Sequence, residues 1–168
     1  ERHDIGRTDG DLLSVAYPAR AIRNDDYLYV RNFEPDRWPV GNPEYGFLNC
    51  DASPTKSFLT ELSQSDPQFR YFELSFGKRP LEELYDMRND QDCVNNLAAK
   101  PEFADLKDAL FEQMKAELTA QGDPRILGNG EIFDYYPNCQ IERQQKLYRQ
   151  PKFDPVKTFN EKFGTQPE

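Results

Sequence analysis

The sequence predicts an α+β fold: a small antiparallel sheet of about four strands, packed by one long amphipathic helix and followed by an extended tail. Three observations predict it. Tyr27 to Phe33 (YLYVRNF) alternates Leu28 and Val30 against Tyr27, Tyr29 and Arg31, the two-residue period of a strand. Phe103, Leu106, Leu110, Met114 and Leu118 recur at three- to four-residue spacing, the period of a helix with one apolar stripe. The last 46 residues carry five prolines and scattered aromatic residues without any sustained period. A sheet this small needs a covering helix to bury its apolar face.

The elements follow in chain order. Residues 1–14 are polar and contain Gly6 and Gly10, so they read as loop. Residues 15–23 (VAYPARAIR) read as a strand, with Pro18 at an edge or bulge because it donates no backbone hydrogen bond. Asn24-Asp25-Asp26 is turn chemistry, which makes residues 19–33 a hairpin. Residues 34–52 hold Pro35, Pro39, Pro43, Gly41 and Gly46, and form a long loop around Trp38. Ser53-Pro54 places a capping hydroxyl before a proline at the first helical position, and Phe58, Leu59 and Leu62 then share a face. A second short helix is expected over 67–76, ended by Gly77, and a short strand over 84–87. Asn89-Asp90 and Asn95-Asn96 are turns. The long helix begins near Pro101 and stops at Gly122. The division that follows is one domain over residues 1–122 and a docked tail over 123–168.

Composition narrows the function. The chain has 168 residues, enough for one domain with a real core. Hydrophobic residues make up 37% and the mean hydropathy is −0.89, which predicts a modest core. Twelve Phe, nine Tyr and one Trp compensate, because each ring buries a large area. A net charge of −9 argues against a nucleic-acid partner or an anionic membrane surface. A local basic cluster within an acidic shell still suits an anionic sugar. Cys50, Cys93 and Cys139 match no zinc spacing, and the odd count leaves at least one free thiol. The single His supplies neither a triad nor a His-based metal cluster within this chain. Asp9, Asp11, Asp25 and Asp26 read as solvated turn residues, since no D-x-[DN]-x-[DN]-G loop occurs. Glu1-Arg2-His3-Asp4 opens without Met, which suggests a piece of a longer chain.

Two stretches resemble the sulfatase family. One is Tyr17-Pro18-Ala19-Arg20-Ala21-Ile22-Arg23 with Tyr27 to Phe33. The other is Glu82-Glu83-Leu84-Tyr85-Asp86-Met87-Arg88-Asn89-Asp90 with Asn95-Asn96-Leu97-Ala98, where Gln91 stands in place of a common Pro. The run RAIR at residues 20–23 with YLYVRNFEPDRWP at residues 27–39 resembles the branch of heparan N-sulfatase (sulfamidase) and its bacterial relatives. The resemblance covers about residues 1–121 and implies the C-terminal subdomain of such an enzyme, in which one long helix packs a four-stranded sheet. It implies that the parent hydrolyses a sulfate ester or sulfamate with a formylglycine and a calcium ion. It further implies that the parent is exported, that the catalytic domain is this segment's partner, and that a sulfated glycan is the substrate.

The formylglycine motif of that family is C-x-P-S-R or C-x-A-S-R. Cys50-Asp51-Ala52-Ser53-Pro54 resembles it at four positions, but Pro54 replaces the Arg. Ser53-Pro54 is accounted for as a helix start, so no catalytic residue and no metal ligand is assigned. By the resemblance, Arg2 and His3 lie near the mouth of the active site and are candidate substrate-binding residues. Arg2 is suited to bidentate pairing with an anion, and His3 to bonding a sugar hydroxyl. Arg20, Arg23 and Arg31 form a second basic group, with Arg23 and Arg31 expected to approach across the hairpin. They are expected to pair with acidic side chains, with a glycan subsite as the alternative. Trp38 is expected to pack on its own loop or a neighbouring domain, with stacking on a sugar ring as the alternative.

Overall fold

The computed structural model describes residues 7–9, 12, 13 and 15–135. Arg2, His3, Asp11, Cys139 and the tail beyond 135 lie outside the described residues. The chain divides into two compact units: one built on residues 36–78 with the segment up to Tyr17, the other on residues 18–35 and 79–135.

The second unit is the α+β body that patterning predicts. Strands β3 (Ala19–Arg23), β4 (Tyr27–Asn32) and β5 (Glu82–Asp86) form an antiparallel sheet in the order β3-β4-β5. The sheet has three strands, where about four were expected. Asn24 makes the hairpin turn, its Oδ1 accepting from the backbone N–H groups of Asp26 and Tyr27 at 2.9 and 2.7 Å. Helix α3 (Ala104–Ala120) enters through a 3-10 turn at Pro101–Phe103. Its stripe meets the tyrosine face of β4. Tyr29 is fully buried among Leu84, Leu97, Leu110 and Met114. Tyr29 and Tyr27 meet Phe111 and Phe103 edge to face, at ring separations of 6.1 and 6.4 Å.

The chain after α3 was expected to be extended from residue 123. Over 123–135 it folds back as turns and a 3-10 helix at Gly130–Tyr135. Asp123 is the reason: its Oδ1 accepts from the Arg125 and Ile126 amides, while Oδ2 takes Arg20 Nη2 at 2.7 Å. Gly128 then supplies a left-handed turn at φ 85°.

The first unit contains two short helices and a loop. Helix α1 (Pro54–Glu61) starts as its sequence predicts: Ser53 Oγ accepts from Lys56 N at 3.1 Å, and Pro54 occupies the first helical position. Helix α2 (Phe69–Phe76) buries Phe72 and Phe76 against Phe47. The segment expected to be loop holds a two-residue ladder, β1 (Thr8–Asp9) with β2 (Leu12–Leu13). The strand expected from residue 15 begins at Ala19, after Pro18. Arg7 is fully buried, and its guanidinium donates to the carbonyls of Val15, Trp38 and Pro39. It thereby pins the proline-rich loop and satisfies two of its carbonyls.

Candidate functional site

A cavity of about 490 Å³ lies in the first unit. Its floor is aromatic. Phe47 is buried and meets Trp38 edge to face at 6.0 Å and Phe72 at 5.8 Å. Phe69 stacks on Phe72 at 5.0 Å. Phe47 sits at φ 53°, in the left-handed region, directly after Gly46 at φ 72°. This pair of residues swings the Phe47 ring inward under the loop. Lys56 fixes the same turn by donating from Nζ to the carbonyls of Phe47 and Cys50 at 2.9 and 2.7 Å. Trp38 and Phe69 are the half-buried rings, so the aromatic surface left accessible is chiefly theirs.

The rim is polar and comes from three separate stretches. Glu44 stands on the 3-10 turn Pro43–Tyr45, where its Oε1 accepts from Asn42 Nδ2 at 2.7 Å. Gln64 follows α1, and Glu73 projects from α2. Lys78 closes the rim, its Nζ lying 5.4 Å from the centre of the Trp38 ring. The site thus combines ring surface with two carboxylates, an amide and an ammonium.

In the second unit the charged groups serve the fold. Glu82 accepts from Tyr29 Oη and from Lys107 Nζ, each at 2.8 Å, and pairs with Arg31 at 3.3 Å. Burial would raise the Glu82 carboxyl, but the bonds from Lys107 and Tyr29 and the charges of Lys107 and Arg31 outweigh it and hold it below the ordinary glutamate range. Tyr29 is pushed well up by burial and by that carboxylate. Glu83 is buried with Asn32 and the Tyr85 hydroxyl. Burial, with the charge of Asp90 beside it, raises the Cys93 thiol, which disfavours the thiolate.

The basic group of the hairpin separates along these lines. The register sets Arg20 opposite Arg31 and Arg23 opposite Leu28, so Arg23 and Arg31 do not pair across the strands as expected. Arg20 is taken by Asp123 and Arg31 by Glu82, in keeping with the acidic partners expected of them. Asp9 and Asp26, expected to be solvated, keep side chains 50% and 40% exposed while pairing with Arg37 and Arg88. Trp38 packs within its own loop and also lines the cavity. Among the described residues no group of three or more His, Cys, Asp or Glu side chains converges as a metal site. Phe47 and Phe69 were not singled out from sequence. They lie 9 and 31 residues from Trp38, with no period linking them, and only the positive φ allowed by the Gly46 neighbourhood hints at the turn.

These elements define an α+β chain: a helix-covered sheet in one unit and an aromatic cavity in the other. No family model matches the chain. It is 30% identical over 118 residues to an ulvan-active sulfatase of Formosa agariphila, covering 70% of this chain and 20% of that protein. A second ulvan-active sulfatase of the same organism is 28% identical over 119 residues, covering 68% and 19%. The chain is related in sequence to sulfatases, and it spans about a fifth of the length of these curated relatives.

Proposed function

We propose that this chain is the C-terminal, non-catalytic part of a sulfatase, which supports the catalytic domain and shapes one side of the substrate cleft. The observation that carries this reading is the match itself. It runs over most of this chain, yet over only about a fifth of either relative, so most of each relative lies outside the matched stretch. The residues present do not fit the groups that sulfatase chemistry implies. Pro54, where the formylglycine motif has Arg, is the first residue of α1, and Ser53 is spent on capping that helix. In this reading the formylglycine and the calcium ion belong to the parent outside this segment.

The parent is, in this reading, an exported hydrolase of sulfate esters or sulfamates. The relatives' names point to ulvan. The likeness of Arg20 to Pro39 to the sulfamidase branch points instead to an N-sulfated sugar. Arg2 and His3 would lie at the cleft wall in the parent. The test is twofold. The reading frame upstream of Glu1 is expected to encode C-x-P-S-R or C-x-A-S-R, and its absence overturns the reading. The purified chain is expected to leave an aryl sulfate intact and to carry an unmodified Cys50 by mass spectrometry. Turnover at ordinary sulfatase rates, or an aldehyde at Cys50, refutes the non-catalytic assignment.

A further inference from the structure

We infer that the aromatic cavity of the first unit is a saccharide-binding site, taking a pyranose ring that is neutral or carries a single anionic group. The inference rests on the cavity alone and stands or falls independently of the sulfatase reading. At about 490 Å³ the cavity lies within the range of small-ligand sites, about 300–1,000 Å³. A sugar ring presents C–H groups on its faces and hydroxyls around its edge. The cavity offers the complement of both. Trp38 and Phe69 supply ring surface for the C–H faces, and the rim supplies groups that bond hydroxyls.

The rim chemistry narrows the ligand further. Carboxylates only accept, and hydroxyls donate, so Glu44 and Glu73 suit vicinal hydroxyls and disfavour a sulfate-rich chain. Gln64 both donates and accepts. Glu44 is already oriented by Asn42 Nδ2, which lowers the ordering cost of binding. Lys78 rests over the Trp38 ring. One carboxylate or sulfate on the sugar would engage its ammonium, and more than one would meet Glu44 and Glu73.

Trp38 is the single tryptophan of the chain, so its emission reports on this cavity directly. The experiment titrates the full chain with cellotetraose, a galacturonic acid disaccharide and a fully sulfated heparin tetrasaccharide. Trp emission and calorimetry are the readouts. Saturable binding of either of the first two, tighter than the third, is the expected result. Glu73→Ala and Gln64→Ala alter exposed side chains, so circular dichroism should show the fold intact. Glu73→Ala is expected to weaken binding about tenfold, since it removes a hydrogen bond to a charged group. No saturable change with any of the three sugars overturns the inference. So does tightest binding of the heparin tetrasaccharide, or affinity unchanged in both folded variants.

Discussion

Glu82 joins the sheet to its covering helix, and its removal should be measurable in two separable parts. In Glu82→Ala the Tyr29 hydroxyl, on a fully buried residue, loses its acceptor. An unsatisfied buried hydroxyl costs about 1–3 kcal/mol. Lys107 and Arg31 also lose their partner, but their side chains remain 19% and 26% exposed and can turn to water. That ionic part is worth about 1 kcal/mol. The sum is about 2–4 kcal/mol for Glu82→Ala. Glu82→Gln keeps an oxygen for Tyr29 and loses only the charge, so it should cost about 1 kcal/mol.

Urea unfolding followed by circular dichroism measures both variants, after coincidence of two probes has established two-state behaviour. The pH dependence gives an independent check. The folded carboxyl of Glu82 is depressed, so its contribution is present above the unfolded glutamate value of about 4.3. It is lost as pH falls through the lower, folded value. The gap between wild type and Glu82→Gln should therefore be open at neutral pH and close on acidification. Equal losses in the Gln and Ala variants would refute the role assigned to the Tyr29 bond. A gap that does not change with pH would refute the ionic part.

Substitutions at three further positions test other parts of the fold. Leu110→Asp places a carboxylate among Tyr29, Leu84 and Met114 and should cost several kcal/mol, while Leu110→Ala should cost about 2–5 kcal/mol in the same urea assay. Ser53→Ala removes the bond to Lys56 N and should lower the stability of α1 by about 1 kcal/mol, read by amide hydrogen exchange of that helix. Gly77→Ala would set a Cβ 2.5 Å from the Glu73 carbonyl oxygen, so the last turn of α2 must shift at a cost of about 1–3 kcal/mol, seen as a lower unfolding midpoint.

The second unit was legible because its signals are local and periodic. The Phe103–Leu118 stripe, the Asn24 turn and the alternation of β4 each arise within a few residues, and each appears in the structure. Which face of β4 would be buried was less plain, and the structure answers with Tyr29. The ladder of Thr8–Asp9 with Leu12–Leu13 was hidden in a polar loop because two residues per strand make no period. Arg7 was hidden for a different reason. A buried guanidinium is stabilised by carbonyls over thirty positions away, and no local pattern carries that pairing. The cavity shares this property. Trp38 could be noted as a lone ring in a proline-rich loop, but Phe47 and Phe69 join it only through tertiary packing.

The residues that carry the likeness to sulfatases perform structural tasks here. Asn96 Oδ1 accepts from the amides of Leu84 and Ala98, and its Nδ2 donates to the Glu82 carbonyl, so it satisfies the open edge of β5. Leu97 enters the core beside Leu84. Asp86 accepts from the amides of Arg88 and Asn89, and Asp90 from those of Val94 and Asn95, which sets the turn between strand and helix. Such a set can accompany the fold independently of any ligand chemistry. Its presence supports kinship of architecture and carries no ligand chemistry of its own. Among the described residues, the cavity draws only Trp38 from the stretches that carry the likeness, and combines its ring and that of Phe69 with hydroxyl-bonding groups.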